Sequence, residues 1–379
     1  MIYHGFFITT ARAYRRAPIF SILIPAIVLC LGLGLILSCS DGSEGDVGME
    51  SNVSMLDSSI IGGVRAAVAE AQEVYGADSI GNPESFFAML DSTARAFRGE
   101  VKEAETAEVV NIPARIVYDL WSIEFDPNQD DLLSLLPHTI VERGRGSCLG
   151  VSLIFLMLAE KMELPLYGVL LPGHFFVRYD DGAVERNIEP NRQAYAHPDR
   201  YYRRRYLEGG SSWYAMQNLS AREALAVLRY NMGNIYRASG EFAWAVRAYR
   251  QCVAVLPGFA EAWGNLAIAL DGRGMEERAR AAFEQAYALQ PHLPNLTRNR
   301  GAFELGHGNH AAALSIYRRG LIRQPHDAAL RYGIGLTQCA LGMTDSARAT
   351  LKMLEDKSVN AHLAESLGEA IENGCGEVR

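Results

Sequence analysis

Three prolines, Pro257, Pro291 and Pro325, stand 34 residues apart, as do Gly240, Gly274, Gly308 and Gly342, and again Ala245, Ala279, Ala313 and Ala347. No other feature constrains the fold of this 379-residue chain as strongly, because units that recur at such a period must bury their apolar faces on their neighbours. Tyr249, Phe283 and Tyr317 lie four residues after the alanines, and Gly233, Ala267, Gly301 and Gly335 lie seven before the glycines. The columns predict paired helices. Small residues let two helices approach, a glycine makes the turn, an aromatic fills the gap to the next pair, and proline stops the second helix. Ser220 with Glu223 forms a capping box for the first helix. Leu363, Leu367 and Ile371 recur every four residues while Glu365, Glu369 and Glu372 fall elsewhere on the same helix, as a terminal polar cap requires.

With Trp263 and Leu266, these columns resemble the tetratricopeptide repeat over about 226–359. The resemblance implies an all-α solenoid over 220–375 with a C-terminal capping helix, and a protein or peptide partner. Asn231, Asn265 and Asn299 also repeat at 34. They read either as a peptide-binding ladder or as the Asn that such repeats commonly carry there. Thr297 and Arg331 stand where the pattern has Trp, so an irregular groove is expected in the later units.

The other end of the chain reads as a targeting element. Residues 17–40 contain no charge and follow Arg12, Arg15 and Arg16. About 20 apolar residues span a bilayer, and a basic flank stays on the cytoplasmic side. Ile36-Leu37-Ser38-Cys39 resembles a bacterial lipobox, implying a leader over 1–38 and a lipid on Cys39; an uncleaved anchor is the alternative. Residues 39–57, rich in Ser, Gly, Asp and Glu, read as a flexible acidic tether. Either reading expects a membrane-anchored protein of the bacterial cell envelope that faces away from the cytoplasm. The formal charge is −8, and removing the three leader arginines leaves −11. A surface this acidic repels a phosphate backbone, so nucleic acid is not an expected partner.

Between tether and repeats, residues 58–214 suffice for one core-bearing domain. Helices are predicted at 59–75 and 111–125 from apolar spacings of three and four, then a strongly apolar helix at 148–162. Three β-like runs follow, 164–171, 174–180 and 183–189, the last two joined by Asp180-Asp181-Gly182. Cys148 opens the apolar helix, where unpaired N–H groups and the helix dipole favour a thiolate. His174 opens the second run and Glu189 closes the third. Adjacent antiparallel strands bring such residues side by side, so a Cys148, His174 and Glu189 chain is geometrically reasonable.

Arg145-Gly146-Ser147-Cys148-Leu149-Gly150, Leu164-Pro165-Leu166-Tyr167-Gly168-Val169 and Pro172-Gly173-His174-Phe175-Phe176-Val177-Arg178 resemble the transglutaminase-like superfamily of papain-like cysteine enzymes, in its bacterial branch fused to tetratricopeptide repeats. The resemblance covers about 85–210. It implies an α+β papain/transglutaminase-like domain with Cys148 as nucleophile, His174 as base and Glu189 orienting the imidazole. The superfamily usually has Asp in place of this Glu, and Asn187 and Asn191 are alternative orienters. The implied activity is amide hydrolysis or acyl transfer on protein or peptide substrates. A non-catalytic adaptor that keeps the fold for binding is the alternative.

Other chemistry finds little support. His and Cys residues show no ligand pair at metal-binding spacing beyond His307 with His310, and no phosphate or dinucleotide fingerprint occurs, so neither a metal nor a cofactor is expected. Tyr201-Tyr202-Arg203-Arg204-Arg205-Tyr206 is expected to seat the enzyme-like domain on the repeats. Cys252 falls in a packing column, and Cys339 and Cys375 could pair in an oxidising compartment.

Overall fold

The computed structural model describes residues 58–127, 131–207, 214–355 and 361–375. The leader, Cys39 and the tether lie outside the described residues. The chain divides into two compact units, Met1–Leu256 and Pro257–Arg379.

The first unit is organised around one buried helix. Helix α1 (Ile60–Tyr75) is capped by Ser59, whose side chain accepts from the Gly62 N–H. Helices α2 (Glu84–Glu103) and α3 (Pro137–Arg143) precede α4 (Cys148–Met162). Ser147 caps α4, and nearly every residue of α4 is buried. A helix apolar on all sides is stable only when neighbours surround it. Helices α1, α2 and α3 pack on it, as do strands β1 (Leu166–Leu171) and β2 (His174–Asp180). Strand β3 (Glu185–Ile188) completes an antiparallel sheet of order β1-β2-β3. Leu171 faces His174 in the first pairing, and Val177 faces Ile188 in the second. At the hairpin tip, Asp181 Oδ1 accepts from the Ala183 and Val184 N–H groups. The helix α5 (Asp199–Tyr206) then covers the sheet, and its Tyr202 joins Val169, Leu171, Phe176 and Met216 in one buried cluster.

Two elements depart from the sequence reading. The helix expected over 111–125 breaks into a short α segment, Asn111–Ala114, a π-helical turn, Arg115–Leu120, and a two-residue strand, Glu124–Phe125. The strand pairs in parallel with Arg145–Gly146, and the Glu124 N–H reaches the Gly144 carbonyl at 2.8 Å, so tertiary hydrogen bonding replaces the last helical turn. Helix α2 was not expected at all. It buries only Phe86, Phe87, Leu90, Thr93 and Ala94, a stripe that ends at the eleventh of its 20 residues.

The first helical hairpin, α6 (Ala221–Ala238) and α7 (Phe242–Val255), belongs to this same unit. Ser220 and Glu223 form the reciprocal capping box. Helix α6 packs on α1, and Arg229 reaches Glu70 at 3.0 Å with each side chain 5% exposed. Arg247 of α7 approaches the other Glu70 oxygen at 3.7 Å.

The second unit contains three hairpins and a final helix: α8 (Ala260–Gly272) with α9 (Glu276–Leu289), α10 (Pro294–Gly306) with α11 (His310–Arg323), and α12 (Ala328–Ala340) with α13 (Thr344–Glu355), then α14 (Ala361–Glu372). The turn glycines hold left-handed backbone, φ 72° at Gly274, 76° at Gly308 and 70° at Gly342, which accounts for their column. A Cβ on Gly301 would stand 2.4 Å from the Tyr317 ring, so the aromatic column needs a small partner. The Trp263 indole donates to the Pro257 carbonyl at 2.9 Å, and the Arg331 guanidinium makes the same contact to Pro325 at 2.8 Å. Arg331 thereby substitutes for the missing Trp. Cys339 and Cys375 are joined by a disulfide, and Ala347, Leu354, Leu367 and Ile371 pack around Cys339. Among the described residues no helix is long and apolar enough to cross a membrane.

Candidate active site

The chemistry-bearing residues converge because three elements end at one place. Ser147 sets the start of α4: its N–H donates to the Ser134 carbonyl at 2.8 Å, and its hydroxyl accepts from the Gly150 N–H at 3.1 Å. Cys148 is therefore the first helical residue, one of the positions whose N–H has no acceptor within the helix. His174 begins β2 directly after the Pro172-Gly173 turn, where Gly173 has φ 67°. Glu189 follows the last residue of β3, and Pro190 prevents the strand from continuing.

His174 Nε2 meets Glu189 Oε2 at 2.9 Å, with side-chain exposures of 3% and 4%. The extra methylene of Glu over Asp is thus accommodated at full hydrogen-bond contact. His174 also hydrogen-bonds the Cys148 side chain. Glu189 occupies Nε2, which leaves Nδ1 as the ring nitrogen open to a second partner. Burial alone would disfavour charge on the imidazole, but hydrogen bonds to Cys148 and Glu189, together with the Glu189 charge, outweigh it and raise the His174 pKa to about 9. Burial likewise opposes charge on Glu189, yet the His174 contact, the Asn191 N–H at 3.1 Å from Oε1, and Tyr202 hold its carboxyl below the ordinary value. Cys148 itself is 5% exposed.

Of the alternative orienters, Asn187 is engaged elsewhere. Asn187 Oδ1 accepts from Arg178 Nε at 2.8 Å, and its amide donates to the His197 carbonyl and to Asp199 Oδ1, each at 2.9 Å. Arg178 in turn contacts Asp199 at 3.1 Å. This buried network fixes the N-terminus of α5 to the sheet. Asn191 contributes its backbone N–H to Glu189.

Three residues of the site were missed in the sequence. Tyr206 lies flat on the His174 ring, with centroids 4.7 Å apart and planes 9° from parallel. Tyr202 stacks on Phe176 at 4.1 Å. Tyr118, on the π-helical turn, donates to the Pro190 carbonyl at 3.1 Å, and burial followed by the Glu189 charge raises its pKa well above the usual phenol range. The Tyr-Arg cluster that was expected to seat the domain on the repeats instead encloses the imidazole. Tyr202 and Tyr206 are spaced by four on a helix, and this one-face spacing was the available signal. Among the described residues no group of His, Cys, Asp and Glu could hold a metal ion.

Comparison with known proteins agrees with this architecture. A model of the transglutaminase-like superfamily matches residues 84–200, and two tetratricopeptide-repeat models match residues 230–294 and 304–368. The chain therefore carries a transglutaminase-like α+β domain followed by tetratricopeptide repeats. No curated protein matches it. Among solved structures, the crystal structure of MamA aligns with 20% identity and a TM-score of 0.32, over 39% of this chain and 81% of that one. YrrB, described as a tetratricopeptide-repeat protein with an unusual peptide-binding site, aligns with 18% identity and a TM-score of 0.31, over 38% of this chain and 78% of its own.

Proposed function

We propose that the transglutaminase-like domain is a cysteine-dependent amide hydrolase or acyl transferase acting on protein or peptide substrates, and that the repeats recruit a protein partner. The observation that carries this reading is the buried set of Cys148, His174 and Glu189, with His174 Nε2 2.9 Å from Glu189 Oε2. The Cys148 thiolate attacks the carbonyl carbon of the substrate amide. The oxyanion that forms is met by the Cys148 N–H, which the helix leaves unpaired. The C–N bond then breaks, and the His174 imidazolium passes its proton from Nδ1 to the departing amine. A thioester remains. Attack by water, deprotonated by the now neutral His174, releases a carboxylic acid and regenerates the thiolate; attack by an amine yields a new amide instead. Positioned acid–base catalysis of this kind contributes about 10²–10⁴-fold, and Glu189 supports it by holding the ring in one tautomer.

Iodoacetamide labelling of the full chain across pH tests the pair. The expected result is modification of Cys148 faster than a free thiol at pH 6–7, lost on His174→Ala. Labelling no faster than a free thiol and indifferent to that substitution would sink the enzyme reading. Ammonia release compared with incorporation of a labelled primary amine then separates hydrolysis from transfer.

One observation favours a second reading, a non-catalytic adaptor: α5 closes over the site, leaving Cys148 and His174 each 5% exposed. The same labelling experiment decides between the two.

The envelope-facing, membrane-tethered placement rests on the uncharged stretch over 17–40 and on Ser38-Cys39. Mass spectrometry of the mature N-terminus tests it, with a lipid on Cys39 expected and an intact leader as the outcome that overturns lipidation.

A further inference from the structure

Residues 287–323 carry five arginines, Arg298, Arg300, Arg318, Arg319 and Arg323, against a single acid, Glu304, in a chain whose net charge is −8. Two of these six charges are internally committed. Glu304 is held by Arg280 through both oxygens and by Asn309 at 2.9 Å, and Arg298 is held by Asp327, with Nε at 3.0 Å. Arg300, Arg319 and Arg323 have no acidic partner among the described residues, and all three border the same cleft between α9, α10 and α11. Arg300 lies over the Tyr287 ring at 5.2 Å, with its Nε buried and unpartnered. Arg323 hydrogen-bonds Tyr287, and with Arg319 and Arg300 nearby the phenol is more acidic than usual. Next to it a cavity of about 220 Å³ is lined by Pro291, His292, Thr297, Gly320, Arg323 and Gln324.

Three like charges converging on one phenol, with no carboxylate among them, repel one another unless an anion arrives. Guanidinium forks match carboxylates in geometry, and two parallel N–H groups can hold one carboxylate. We propose that the cleft formed by Tyr287, Arg300, Arg319 and Arg323 is a docking site for an acidic peptide segment of a partner protein. The site specifies the chemistry of the partner that the repeats recruit and rests on that recruiting role, not on the cysteine chemistry. Outside 287–323 the chain carries a net charge of −12 (−8 less the +4 of this segment), a balance that disfavours a long polyanion such as nucleic acid and suits the site to a short acidic segment.

The test is fluorescence anisotropy with full-length protein and a labelled decapeptide of alternating Glu and Ala, beside its Gln counterpart and an oligothymidylate of equal charge. The Glu peptide is expected to bind and the other two are not. Binding should weaken steeply between 50 and 300 mM salt, because the Debye length shrinks below about 10 Å. Arg319→Ala with Arg323→Ala should raise Kd by at least about tenfold, or 1.4 kcal/mol. Arg318→Ala, on the same helix but outside the cleft, should leave it unchanged. Both arginines of the double variant are exposed, so its folding is not at risk. Absence of binding, equal binding of the Gln peptide or the oligothymidylate, or indifference to the double substitution would overturn the proposal. Cys148→Ala should bind the peptide as the parent does, so failure of the catalytic reading leaves this test intact.

Discussion

Glu189 Oε2 stands 2.9 Å from Nε2 of His174, and this contact leaves Nδ1 as the nitrogen available to Cys148. Glu189 sits just after β3 and just before the turn that Pro190 opens, and from there its side chain reaches the ring. Glu189→Gln should therefore keep the contact but remove its charge. The second-order rate of Cys148 alkylation at pH 7 is expected to fall at least about tenfold, since thiolate character depends on the charged neighbour. An unchanged rate would remove Glu189 from the relay.

The pH dependence of stability follows from the same pair. His174 has an ordinary value of 6.5 and a native value raised to about 9. Its contribution is fully present below 6.5, where both states are protonated, and is lost as pH rises through 9. In urea unfolding between those limits this group lowers stability by at most about 1.4 kcal/mol per pH unit, less where the folded pair holds Cys148 as a thiolate that the unfolded chain reprotonates, and His174→Asn should lack the dependence. Glu189 acts in the opposite direction. Its native value is lowered from 4.5, so its contribution is present above that value and disappears as pH falls.

Tyr206 closes one face of the imidazole. Tyr206→Ala should admit larger reagents, raising the ratio of N-ethylmaleimide to iodoacetamide reactivity at Cys148 several-fold. Tyr206→Phe keeps the ring and should keep the parental ratio.

Glu70 and Arg229 join the enzyme-like domain to the first helical hairpin through a buried ion pair. Glu70→Ala strands the Arg229 charge and should destabilise the first unit by about 3–5 kcal/mol. The double variant Glu70→Leu, Arg229→Met should recover most of the loss. Thermal unfolding measures both.

The Cys339 and Cys375 disulfide closes a separation of 36 residues. Cys375→Ser should lower the stability of the second unit by about 3–4 kcal/mol, on chain-entropy grounds. Guanidinium unfolding of parent and variant without reductant checks the figure.

Much of the architecture was legible because it depends on local periodicity. The 34-residue columns needed no tertiary information: a left-handed turn admits glycine and a close helix contact admits only a small residue, at every recurrence. The apolar helix beginning at Cys148 and the strands around His174 were legible for the same reason, since full burial leaves a continuous apolar run. Helix α2 escaped because its buried stripe covers only half its length. The segment over 111–125 escaped because its periodicity is helical while Glu124 and the adjoining Asp126 hydrogen-bond to Gly144 and Gly146, partners remote in sequence.

The candidate site divides along the same line. Sequence by itself determined which residues open and close the elements, Cys148 at a helix start, His174 and Glu189 at strand ends, because capping, turns and proline act on nearest neighbours. Only the tertiary structure decided that Glu189 reaches Nε2, that Asn187 serves Arg178 and Asp199 instead, and that Tyr202 and Tyr206 enclose the imidazole. Those outcomes depend on distances between elements, which are set by how the chain packs its core and leave no periodic mark on the order of residues.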